Sequence, residues 1–113
     1  HGVPEEPQRQ LEELARRFFA LPLERKMAVR MELGGRAWRG CFPVGAELTS
    51  GRSDLKEGLY FGAELAADHP RVRAGVPLHG ANLLPDLPGF REAVLRHLSA
   101  MTALGHALMR GVA

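Results

Sequence analysis

From Pro88 to Val112 the chain places Phe90, Val94, Leu98, Met101, Leu104, Leu108 and Val112 at three- and four-residue intervals. That spacing puts apolar side chains on one face of a helix. At 1.5 Å per residue a helix of roughly 23 residues is on the order of 35 Å long. A chain of 113 residues needs less length than that to cover its own core, so part of the stripe is expected to pack on something outside it. Asp86 is the expected N-cap, and the helix is predicted over about 88–112.

A second helical pattern lies near the start. Leu11, Leu14, Ala15, Phe18 and Phe19 share one face while Glu12, Glu13, Arg16 and Arg17 take the other, which predicts a helix over about 7–20. Glu5 and Glu6 at its positive end and Arg16 and Arg17 near its negative end suit the helix dipole. Pro22 is placed to open a short helix over about 23–29, because proline costs nothing in a first turn. Between these helices and the last one the signal changes. Residues 34–87 contain nine of the 13 glycines, together with Pro43, Pro70, Pro77 and Pro85, and are expected to be mostly coil. Aromatic-rich stretches at about 37–42 and 58–62 predict short extended segments, and Thr49 to Asp54 is turn chemistry. The predicted fold class is therefore α+β, mostly helical, with short strands and long coil. A coil of that length suggests a missing partner surface.

Composition narrows the function classes. Fifteen Lys and Arg against 13 Asp and Glu give a formal charge of only +2, which supports no nucleic-acid partner. No apolar run approaches the roughly 18–20 residues that cross a bilayer, so no membrane role is expected. With 7 aromatics the core must be mostly Leu, Val, Ala and Met, and the length suits a single globular unit. Cys41 is the only cysteine; it excludes an intramolecular disulfide and points to a cytoplasmic home. His1 to Glu6 lack a signal peptide's basic and apolar regions, and the start is expected to lie inside a longer chain.

None of the five histidines, His1, His69, His79, His97 and His106, is followed two positions later by Asp or Glu. His97 and His106 are nine residues apart and fall about 180° from each other on a helix. No metal-ligating and no catalytic residue is therefore assigned. Cys41 has neither a base nor an evident cause of a lowered pKa beside it, so it reads as a small buried hydrophobe. No Gly-x-x-x-x-Gly-Lys-Ser/Thr loop is present. Arg39 is a candidate for forking onto a carboxylate.

The order of pieces is more specific than any one of them. His1-Gly2-Val3-Pro4 precedes a helix ending Phe18-Phe19-Ala20-Leu21-Pro22, with Glu24 and Lys26 following and Arg39-Gly40-Cys41-Phe42 beyond. Asp68-His69-Pro70-Arg71-Val72, Pro77, His79, Asn82-Leu83, Pro85-Asp86 and Pro88-Gly89-Phe90 complete the pattern. Across almost the whole chain it resembles the N-terminal region of the iron(II)/2-oxoglutarate-dependent oxygenases, the isopenicillin N synthase-like superfamily. The resemblance implies an intact parent enzyme that uses iron(II), dioxygen and 2-oxoglutarate to hydroxylate, desaturate or ring-close a small molecule. It implies a C-terminal double-stranded β-helix, or jelly roll, carrying the His-x-Asp and distal His iron ligands, against which this non-catalytic segment packs. In the synthase that names the superfamily, an arginine and a tyrosine flank the glycine of the extended segment and reach the substrate. Matched around Gly40, Trp38 and Phe42 stand in those places, so the resemblance implies that these two meet a small, partly hydrophobic substrate, with packing in the core as their other reading; Arg39 joins them as a substrate-binding candidate through its own fork chemistry.

The alternative is a stand-alone α+β binding or dimerisation module that uses the Phe90 to Val112 stripe as its interface. Such a module would unfold cooperatively from a dispersed monomer, whereas a segment with an uncovered stripe would aggregate.

Overall fold

The computed structural model describes residues 1–113. Glutamates at one end and arginines at the other bound helix α1, Glu5–Phe19, which begins two residues before the predicted 7–20 span. Pro4 has φ −61° at its N-cap, so the backbone is already set for a helical start. The outer face is laced by Arg16–Glu12 at 2.6 Å and Arg17–Glu13 at 2.5 Å, with Arg9 on Glu6 one turn earlier. Each glutamate precedes its arginine, the favoured order on a helix. The inner face buries Leu14 and Phe18.

Helix α2, Leu23–Met27, follows Pro22 and stops short of the predicted residue 29. A 3₁₀ segment, Met31–Ala37, leads through Trp38 in the left-handed region (φ 56°, ψ 52°) into β1, Gly40–Phe42. The extended run predicted from residue 37 therefore starts only at Gly40. Gly34-Gly35 lets the chain curl tightly there, and Ala37 to Arg39 is taken up by the turn. Strands β2, Leu48–Thr49, and β3, Arg52–Ser53, form a hairpin that overlaps the Thr49 to Asp54 stretch read as turn alone. Ser50 and Gly51 both have positive φ (52° and 78°), the two-residue geometry that matches strand twist. Strand β4, Gly58–Tyr60, pairs antiparallel with β1 in the register Gly40 to Tyr60, Cys41 to Leu59 and Phe42 to Gly58. Helix α3, Pro70–Arg73, interrupts the expected coil; proline starts it and the His69 imidazole caps it by accepting the Arg71 N–H at 3.2 Å.

Helix α4, Phe90–Val112, starts after Pro88-Gly89 rather than at an Asp86 cap. Phe90 N–H donates to Leu87 C=O at 3.0 Å, and Gly89 lies at φ 78°, ψ −5°. That is a type II turn with proline and glycine in their preferred places, and the turn takes the residues the cap would have used. No helix is long and apolar enough to cross a membrane.

Where one globular unit is predicted, the chain divides into two compact units. One joins residues His1–Ala20 to Asp86–Ala113, and the other is Leu21–Pro85. In the first, α1 packs on α4, and the Phe18 and Phe90 rings meet with centroids 6.0 Å apart at 56°. Phe90, Ala93 and Val94 are buried, but Leu108, Met109 and Val112 at the far end of α4 are 62%, 67% and 83% exposed. In the second, Val29, Ala37, Cys41 and Phe42 form the apolar core, with Lys26, Arg39 and Asn82 buried beside them. The observed class is α+β with few short strands.

Candidate functional site

Two buried polar groups of the second unit, Arg39 and Asn82, meet around Gly62. Arg39 is only 6% exposed, and its guanidinium donates to Ala37 C=O at 2.7 Å and to Leu78 C=O at 2.9 Å, while Nε finds no partner. Burial lowers the Arg39 pKa, and nearby Glu64 opposes the shift. Gly62 permits this placement, because a Cβ there would lie 2.2 Å from an Arg39 terminal nitrogen. Asn82 closes the arrangement. Its Oδ1 accepts Gly62 N–H at 2.9 Å, and its Nδ2 donates to Gly62 C=O at 2.9 Å and to Glu64 Oε2 at 2.7 Å. Asn82 N–H also donates to that Glu64 oxygen, at 3.1 Å. Both amide donors and the amide oxygen are thus satisfied, the condition for burying such a group.

Of the three residues expected to meet substrate, Trp38 is 60% exposed, whereas Arg39 and Phe42 are buried. The Phe42 ring covers Gly58, where a Cβ would come within 2.3 Å of it, and lies 5.0 Å from the Tyr60 ring. The candidate carboxylate fork is thus engaged with backbone carbonyls, and one aromatic of the pair is committed to packing.

Tyr60 also anchors the hairpin. Its hydroxyl donates to Glu47 Oε1 at 2.6 Å, Lys56 bridges Glu47 and Asp54 at 3.0 and 3.2 Å, and Thr49 donates to Asp54 at 3.0 Å. The hydrogen bond from Tyr60, then that from Lys56, lowers the Glu47 pKa, and bonds from Lys56 and Thr49 lower that of Asp54. The same Glu47 contact raises Tyr60, and Glu47 and Asp54 raise Lys56. Depressed carboxylates stabilise the fold above their unfolded pKa values and lose that contribution as pH falls through the folded ones. Raised Tyr60 and Lys56 contribute below theirs and lose it as pH rises. The hairpin latch should hold through the neutral range, loosen in acid as the carboxylates protonate, and loosen in base as Tyr60 and Lys56 deprotonate. Because Tyr60 is the only tyrosine, phenolate absorbance reads it directly. Glu47→Gln should move its midpoint down toward that of a free phenol; an unchanged midpoint would refute the contact.

Lys26 and Glu57 form an ion pair at 2.6 Å with side chains 10% and 25% exposed. Lys26→Met should cost about 2–3 kcal/mol by stranding Glu57, and adding Glu57→Leu should recover most of it; urea unfolding of both variants tests this. Burial, then Glu57, raises the Cys41 pKa, with Lys26 opposing. A protonated thiol 1% exposed is no nucleophile. Cys41 should react with a thiol reagent only as fast as the fold opens.

His69, Arg71 and His79 approach one another in the second unit. His79 Nδ1–H donates to Pro77 C=O at 2.8 Å, leaving Nε2 to accept from the Arg71 guanidinium at 3.3 Å. No group of three His, Cys, Asp or Glu side chains is arranged to hold a metal ion. Sequence reading quoted Lys26 and Asn82 only within a motif and missed Glu57, Glu64 and Glu47. Their partners lie 31, 18 and 13 residues away, and no local period links them.

Residues 1–87 match the family described as non-haem dioxygenase in morphine synthesis N-terminal. The chain belongs to this family, and so to the N-terminal region of the iron(II)/2-oxoglutarate-dependent oxygenase superfamily. It is 49% identical over 121 aligned positions to a Dictyostelium discoideum protein named "Probable iron/ascorbate oxidoreductase", covering 100% of this chain and 33% of that one. It is 37% identical to a 2-oxoglutarate-Fe(II) type oxidoreductase of Emericella nidulans, over 92% of this chain and 31% of the relative. The crystal structure of a 2OG-Fe(II) oxygenase family protein from Caulobacter crescentus superposes with a TM-score of 0.74 at 27% identity, over 93% of this chain and 33% of that one. The chain thus spans about a third of the length of the relatives it matches.

Proposed function

We propose that this chain is the N-terminal segment of an iron(II)/2-oxoglutarate-dependent oxygenase that oxidises a small molecule by hydroxylation, desaturation or ring closure. The carrying observation is the family match over residues 1–87. The C-terminal half of α4 adds support: Leu108 and Val112 on the stripe, and Met109 beside them, stay exposed, as a helix would if a double-stranded β-helix of the same parent covered it. Iron, bound by that barrel with 2-oxoglutarate, supplies the oxygen-activating chemistry; this segment supplies none of its ligands.

Trp38 is the residue of this segment best placed to meet substrate, because its side chain is exposed and offers an apolar stacking face. Arg39 and Phe42 hold it in place from the core by fixing the turn before β1. On this reading the protein is cytoplasmic and engages neither nucleic acid nor membrane.

The test is metal stoichiometry together with 2-oxoglutarate turnover. The intact protein should bind one iron(II) and consume 2-oxoglutarate, while residues 1–113 alone should show no submicromolar iron site. A one-to-one, submicromolar site in the segment alone would sink the reading.

A further inference from the structure

A cleft of about 380 Å³ is lined by Ala63, Leu65, His69, Arg71, Leu78 and His79. Its volume is that of a small-molecule site, and its wall has two characters. Ala63, Leu65 and Leu78 are apolar; His69, Arg71 and His79 present nitrogen. No carboxylate lines it. Glu64, which lies in sequence between two of the apolar residues, gives its Oε2 to Asn82.

The nitrogen groups are oriented in advance. Because His79 Nδ1–H is held by Pro77 C=O, its Nε2 accepts from Arg71 and steadies that guanidinium. Because His69 Nδ1 accepts Arg71 N–H, the neutral His69 ring carries its proton on Nε2, where it remains a donor. A guanidinium and an imidazole donor therefore both line the cleft, and no carboxylate lines it.

Leu78 supplies the second observation. It sits at φ 64°, a region a branched side chain enters only under strain, and is 60% exposed. Its N–H donates to Arg36 C=O at 2.8 Å, and its C=O accepts from buried Arg39 at 2.9 Å. The fold thus holds an isobutyl group exposed on the cleft wall in a conformation that leucine disfavours.

We propose that this cleft binds a small organic carboxylate. The carboxylate pairs with Arg71 and His69 Nε2–H, and its hydrocarbon part lies on Ala63, Leu65 and Leu78. Arginine and imidazole without a counter-acid select the anion, and the apolar wall selects the body attached to it.

The intact protein, labelled with ¹³C-histidine, is titrated with butyrate, 1-butanol and inorganic phosphate, and the ring signals are assigned with His69→Gln and His79→Gln. Butyrate should shift both signals saturably, and more tightly than either comparison compound. Arg71→Gln should weaken butyrate by about tenfold or more, the loss of one charge-assisted hydrogen bond. Leu78→Gly relieves the positive φ, so it should fold, yet it should weaken butyrate while leaving phosphate unchanged. The proposal is overturned by the absence of saturation at high millimolar butyrate. Butanol or phosphate binding equal to butyrate overturns it too, as does a titration that neither variant alters.

Discussion

Phe18→Ala should lower the free energy of unfolding by about 3–5 kcal/mol, the largest single effect expected in this chain. Phe18 is fully buried, at 0% exposure, and its ring lies 5.1 Å from Phe19 and 6.0 Å from Phe90. Truncation removes both the transfer free energy of the ring and its edge contacts, and leaves a cavity between two helices whose backbones cannot close over it. Phe18→Leu keeps most of the volume and should cost under about 2 kcal/mol. Urea unfolding followed by helical circular dichroism measures both. If alanine costs no more than leucine, the α1 and α4 contact contributes little and the aromatic pair is not its centre.

Asn82→Leu should be nearly as damaging, at about 3 kcal/mol, although it replaces a polar residue with an apolar one of similar size. The loss arises in the partners. Gly62 N–H, Gly62 C=O and Glu64 Oε2 would each lose a bond now made at 2.9, 2.9 and 2.7 Å, and a buried polar group left unmade costs about 1–3 kcal/mol. Asn82→Asp tests the same point at constant shape. It retains an acceptor for Gly62 N–H but loses both Nδ2 donors and sets a second carboxylate against Glu64, so it should rescue little. Amide exchange at Gly62 should accelerate in both variants. Unchanged protection there would refute the clamp.

The helices and the superfamily were legible because their signals are local. The α1 stripe, its terminal charges and the α4 stripe each repeat within one or two turns, and the family pattern runs in chain order. What was not legible depends on residues that meet across long loops. The Asn82 clamp joins positions 18 and 20 apart, and the Lys26–Glu57 pair spans 31. Neither has a period or a spacing rule. Arg39 shows the limit in another way: a guanidinium beside a glycine can fork onto a ligand or onto carbonyls, and only the position of Leu78, brought close by the chain from Pro70 onward, decides between them. The β2–β3 hairpin was read only as turn chemistry because two strands of two residues carry no alternation to detect.

The first unit joins the chain's opening residues to its last ones, while Leu21–Pro85 forms a unit of its own. This order has a consequence on the ribosome. At roughly 5–20 residues per second, making residues 21–85 separates the synthesis of α1 from that of its partner helix by roughly 3–13 seconds. During that wait Leu14 and Phe18 have no helix to cover them, whereas the intervening residues can already fold on themselves. Slowing synthesis across residues 21–85 should therefore lengthen the exposure of α1 and increase its capture by chaperones, without altering the finished protein.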